Sequence, residues 1–124
     1  MKRGYTVTLD DLIQQIKNRP NTVEFDQVMA LIDSCYDYTE SAFSNGVGDD
    51  RVENGVAENA GSCRVFAFAQ INGLNQSETL VCFGKYFRED VIAHRDGTDH
   101  ANIRTFMRHG WQGIRFAQTV LVAK

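Results

Sequence analysis

The densest run of chemically capable side chains is His94-x-Asp96-Gly97-Thr98-Asp99-His100. Two imidazoles and two carboxylates this close together have the donor types of a Zn or Mn site. Such a site needs both rings neutral and aimed at one point, and an Asp96-Gly97 turn can bend the chain enough for that. Capping accounts for the same residues more simply. Thr98 or Asp99 before a helix accepts from its first N–H groups, and the histidines then face water. The spacing matches no common zinc motif. No metal and no cofactor is therefore expected, with His94 and Asp96 the first candidates should an ion bind.

A second signal follows at once. His100, Arg104 and Arg108 are spaced i, i+4, i+8, which places them on one helix face, with Trp111 just beyond. Arginine forks grip carboxylate or phosphate through paired N–H groups. These four residues are the expected binding set for a small anion or for an acidic group on a host or bacterial protein partner. Pairing of the arginines with nearby Asp99 would leave a solvated face instead. The third signal is Cys63, after Gly61-Ser62 at an expected helix start. Helix N-termini lower a thiol's pKa, and Asp99-His100 would supply a base and its orienter. This gives the alternative reading, a cysteine-dependent or metal-dependent hydrolase or transferase centred on Cys63, Asp99 and His100. The phosphate-loop patterns and GxSxG are absent.

These residues need elements to position them. The chain has 124 residues, enough for one domain with a real core. Its 13 Lys+Arg against 16 Asp+Glu give a net charge of -3, which argues against a dedicated nucleic-acid binder. Charge is uneven: residues 1–63 hold five basic and eleven acidic side chains, residues 64–124 eight and five. The three cysteines, Cys35, Cys63 and Cys82, form no CxxC pair and read as reduced thiols. After Met1-Lys2-Arg3 no apolar leader is visible, and no apolar run reaches membrane length, so no membrane partner is expected.

Helix signals are frequent. Thr8 and Asp11 make a box-like start for a helix with Leu9, Leu12, Ile13 and Ile16 on one stripe, ended by Pro20. Thr22 is the expected N-cap of a second helix through Tyr36. Asp37–Asn59 is rich in turn chemistry, and reads as a hairpin with extended segments near 41–44 and 51–53. A third helix is expected from Ser62 to Gly73. Asn75 and Glu78 start a fourth, with Leu80, Phe83, Gly84 and Phe87 in its stripe. Thr98 or Asp99 caps a fifth, with Ile103, Phe106 and Met107 inward and Gly110 at its end. The β-prone tail 119–122 is expected to add an edge strand to the hairpin. The fold class is helix-rich α+β: a single domain over residues 1–124, about five helices and a small antiparallel sheet or hairpin.

Several segments together resemble the HopJ family of type III effectors. They are Tyr36-Asp37-Tyr38-Thr39, Phe43-x-Asn45-Gly46, Asn59-x-Gly61-Ser62-Cys63, Phe66-Ala67-Phe68-Ala69, Cys82-Phe83-Gly84 and Arg88-Glu89-Asp90-Val91. Two longer blocks are more distinctive: Asp96-Gly97-Thr98-Asp99-His100-Ala101-Asn102-Ile103-Arg104, and Phe106-Met107-Arg108-His109-Gly110-Trp111 with Gly113-Ile114-Arg115-Phe116. The resemblance implies a bacterial protein with a role in virulence, and it carries no catalytic mechanism. It marks Asp96, Asp99, His100, Asn102, Arg104, Arg108, His109 and Trp111 as family positions. The expected location is the bacterial cytoplasm, with export into a host cell as the alternative that the family implies.

Overall fold

The structure is a computed structural model that describes residues 8–124. The expectations for Met1–Val7, the missing leader among them, lie outside the described residues. Helix α1 (Leu9–Asn18) starts as its sequence predicts. Asp11 N–H donates to Thr8 Oγ1 at 3.1 Å, and Thr8 N–H to Asp11 Oδ2 at 3.2 Å. Pro20 opens a single 3-10 turn, Pro20–Thr22. Helix α2 (Phe25–Cys35) then begins from Glu24 rather than Thr22. Thr22 is spent inside the turn, its hydroxyl donating to Arg19 O at 2.7 Å.

The expected hairpin is present. Strands β2 (Phe43–Asn45) and β3 (Val52–Asn54) pair antiparallel with Phe43 opposite Asn54. The tail behaves differently from expectation. The free side of β2 is taken by β4 (Arg115–Phe116), with Ser44 opposite Arg115. Strand β5 (Leu121–Ala123) therefore passes the hairpin and pairs with β1 (Tyr36–Tyr38), in a separate two-stranded sheet.

Helix α3 (Ala60–Ile71) is the centre of the core. Val65, Phe66, Ala67, Phe68 and Ala69 are all buried, so it is apolar on every side rather than striped. Phe66 meets Phe106 at 4.9 Å and Phe83 at 5.6 Å between ring centres, with Phe43 and Trp111 at its other edges. Phe66, Phe68, Phe83 and Phe106 are fully enclosed, whereas Tyr86 is exposed.

Helix α4 (Gln76–Val81) has the predicted Asn75–Glu78 capping box but is shorter than its stripe implied. Gly84 stops it. Its φ is +59°, and a Cβ there would lie 2.7 Å from Phe25 N, so only glycine lets α2 approach this closely. The chain resumes as a π-helical turn, Tyr86–Val91, and a 3-10 turn, Ile92–His94. Helix α5 (Ala101–His109) ends at Gly110 as expected, but its N-cap is His100, not Thr98 or Asp99. Among the described residues no helix is long and apolar enough to cross a membrane.

Candidate functional site

Two helix starts open on one cleft. Its volume is about 470 Å³, and its lining includes Asn59, Gly61 and Ser62 at the start of α3 and His100, Ala101, Asn102 and Ile103 at the start of α5. Both N-cap residues are left-handed: Asn59 has φ +51° and His100 φ +53°. Neither caps its helix with its side chain. Neither helix has an acidic residue in its first turn, whereas α1, α2 and α4 all do. The amides of Ala60, Gly61 and Ser62, and of Ala101, Asn102 and Ile103, precede the first intrahelical bonds, Cys63 N–H to Asn59 O and Arg104 N–H to His100 O. Such amides carry the positive end of the helix dipole.

A carboxamide network sets this geometry. Asn59 Nδ2 donates to Asn54 Oδ1 at 2.7 Å, and Asn102 Nδ2 donates to the same oxygen at 2.9 Å. Asn45 Nδ2 donates to Asn102 O and Oδ1 at 2.8 and 3.1 Å. Asn59 thus turns away from its own helix, which explains why α3 is left uncapped. Strands β2 and β3 hold both helix starts from behind. Asn45 Oδ1 is buried without a partner among the described residues.

The cleft walls are aromatic. Phe25 lies against bare Gly61, where a Cβ would sit 2.8 Å from its ring. Phe25 and Tyr86 meet edge to face at 5.2 Å, and Tyr86 lies 5.3 Å from the His100 ring. His100 Nε2 is 3.0 Å from Asp90 Oδ2, which fixes the imidazole at the rim.

The predicted site residues do not share one hollow. His100 lines the cleft, but as a left-handed N-cap it is outside the helix proper, so the i, i+4 spacing does not align it with the arginines. Arg104 is buried and anchors the preceding loop. Its guanidinium donates to Asp99 O (2.6 Å), His94 O (3.0 Å), Arg95 O (3.4 Å) and Asp99 Oδ1 (2.7 Å). That last bond holds the Asp99 carboxyl below its ordinary range. Arg108 grips Asp50 through Nε and Nη2 at 2.6 and 3.0 Å, and His109 Nε2 reaches the same carboxylate at 2.6 Å. Trp111 is a packing residue. Its indole N–H donates to Leu74 O at 3.1 Å, and its ring edges Phe106 at 5.2 Å.

Cys63 sits on the first turn of α3 but faces the core, with Sγ 3.9 Å from Ser41 O. Burial pushes its thiol up to about 11, opposite in sign to the lowering expected at a helix start. Side-chain direction decides this: desolvation outweighs the dipole. His94 and Asp96 are exposed, and His94 contributes its carbonyl to Arg104. Among the described residues no group of three or more His, Cys, Asp or Glu is placed to hold a metal ion. Sequence reasoning missed Asn59, Ser62 and Tyr86 as cleft residues, and Asp90 as the partner of His100. Bare Gly61 beside Asn59 was the one local sign of a close approach.

A helix-rich α+β domain, with a cleft between two acid-free helix starts, is thus the class that fold and site define. The model of the HopJ type III effector protein family matches residues 9–121, and the chain belongs to that family. The chain is also similar to a solved protein, described as "Crystal structure of unknown function protein VPA0580", with 41% sequence identity, a TM-score of 0.90 and full coverage of both chains. No curated protein matches.

Proposed function

We propose that this protein is an anion-recognising binding domain of the HopJ effector family, and that the anion docks in the cleft between the first turns of α3 and α5. One observation carries the reading: two sets of amides at helix starts, without caps or acidic residues, line the same cleft. Backbone alternating between left- and right-handed conformations makes concavities that bind carboxylate or phosphate oxygens. Two non-glycine residues held left-handed store roughly 1–3 kcal/mol each, a strain that collects at ligand clamps. The aromatic wall of Phe25 and Tyr86 favours an anion attached to an apolar body, whether a small molecule or a side chain of a protein partner. Family membership implies that such recognition serves an effector delivered into a host cell.

The test is an amide-resolved NMR titration with phosphate, acetate and an aryl carboxylate. Gly61, Ser62, Ala101 and Asn102 amides should shift together and saturate. Ala101→Asp places a competing carboxylate on the exposed first turn of α5. It should abolish binding while raising stability by about 0.3–1 kcal/mol through the dipole. Titrations that leave those amides unmoved, or an Ala101→Asp variant that binds as well as the parent, would sink the reading.

A further inference from the structure

A second cavity, of about 270 Å³, is lined by Val91, Arg95, Gly97, Arg104, Met107 and Arg108. Three guanidinium-bearing side chains and no carboxylate contribute to its wall. We propose that it is a separate oxyanion site, built from side chains, that takes a phosphoryl group.

The three arginines differ in a way that suits this task. Arg104 is fixed by its four bonds to the 94–99 loop and to Asp99, so its orientation is set in advance. Gly97 packs directly against that guanidinium: a Cβ there would lie 2.7 Å from Arg104 Nη2, so any larger residue would displace it from the cavity wall. Arg108 gives Nε and Nη2 to Asp50, and Nη1 has no partner among the described residues. Arg95 is exposed, and its side chain makes no hydrogen bond or ion pair among the described residues. Asp99 and Asp50 each balance one guanidinium from outside the lining, which leaves the charge of Arg95 for a ligand. Phosphoryl oxygens, several on one centre, match multiple guanidinium forks better than a carboxylate does. Half-buried Met107 and buried Val91 supply an apolar floor for whatever bears the group. This site stands or falls independently of the α3/α5 cleft.

The experiment is calorimetric titration of the full chain with inorganic phosphate and, separately, with phosphorylated and unphosphorylated forms of one peptide. In the Ala101→Asp background, where the α3/α5 cleft is silent, Arg95→Gln should weaken phosphoryl binding about tenfold or more, the loss of a charge-assisted contact, with an unchanged melting temperature. Ala101→Asp should leave this binding intact. A phosphopeptide that binds far better than phosphate would assign the group to a modified protein, and equal affinities would assign it to the free anion. Parent-like affinity in Arg95→Gln, absence of phosphoryl binding, or loss of all of it in Ala101→Asp would each overturn the proposal.

Discussion

Asn59 and Asn102, 43 positions apart in the chain, donate to one oxygen, Asn54 Oδ1. A single carboxamide on β3 therefore fixes the distance between the two helix starts that frame the cleft. Asn54 is also buried and donates to Phe43 O at 3.3 Å and Asn102 Oδ1 at 3.2 Å. Asn54→Ala leaves the buried Asn102 amide without its acceptor, while the exposed Asn59 amide can turn to water. The expected cost is about 1–3 kcal/mol in urea unfolding, the cost of one orphaned buried group. Amide exchange should speed up at both helix starts and not at one alone. A loss under about 0.5 kcal/mol would mean that water replaces the network easily.

Arg104 is the most buried charge in the described chain, and its partners are chiefly carbonyls of the 94–99 loop. Arg104→Met removes the charge and leaves those acceptors unpaired. Unfolding experiments without any ligand should show a loss of about 1–3 kcal/mol. Arg104→Lys should recover little of it, because a point charge cannot reach several carbonyls at once. Full rescue by lysine would show that charge, not the fork, is what the loop needs.

Asp50 links the 48–50 turn to the end of α5. Its hydrogen bonds from Arg108 and then His109 lower its pKa from 3.8 to about 2. The folded value is depressed, so the stabilisation is present above the unfolded value and is lost as pH falls from about 4 toward 2. The carboxylate is exposed, so added salt should shrink the effect. Melting temperatures of Asp50→Asn should fall less steeply than those of the parent across that window. Parallel curves for the two proteins would contradict the assignment.

The three thiols should separate by reactivity. Burial pushes Cys82 to about 12 and Cys63 to about 11, and both are shielded from solvent, whereas Cys35 is half-buried. Iodoacetamide at neutral pH should label Cys35 first and reach the other two only after denaturation. Rapid labelling of Cys63 in the native protein would restore it as a reactive centre.

Local chemistry was legible and tertiary chemistry was not. Thr8 with Asp11, and Asn75 with Glu78, show their role within four residues of sequence, so those helix starts read correctly. Thr22 and Asp99 have the right type for a cap but are engaged elsewhere, by Arg19 O and by Arg104. Spacing arithmetic failed at His100 because it assumes helical backbone there, and φ is +53°. The Asp90–His100 pair and the asparagine network link remote segments with no periodic signature. The stripe places Gly84 inside a helix, but the helix ends at Val81 and Gly84 lies beyond it in left-handed backbone, against Phe25.

The pairing of β1 with β5 has a consequence for how the molecule is made. Tyr36 meets Ala123, so β1 waits for residues 121–123, far along the chain, before its partner exists. Closing so large a loop is entropically slow. On the ribosome β1 would remain an open edge until residues 121–123 emerge, and a chain truncated after Val120 would leave it open for good.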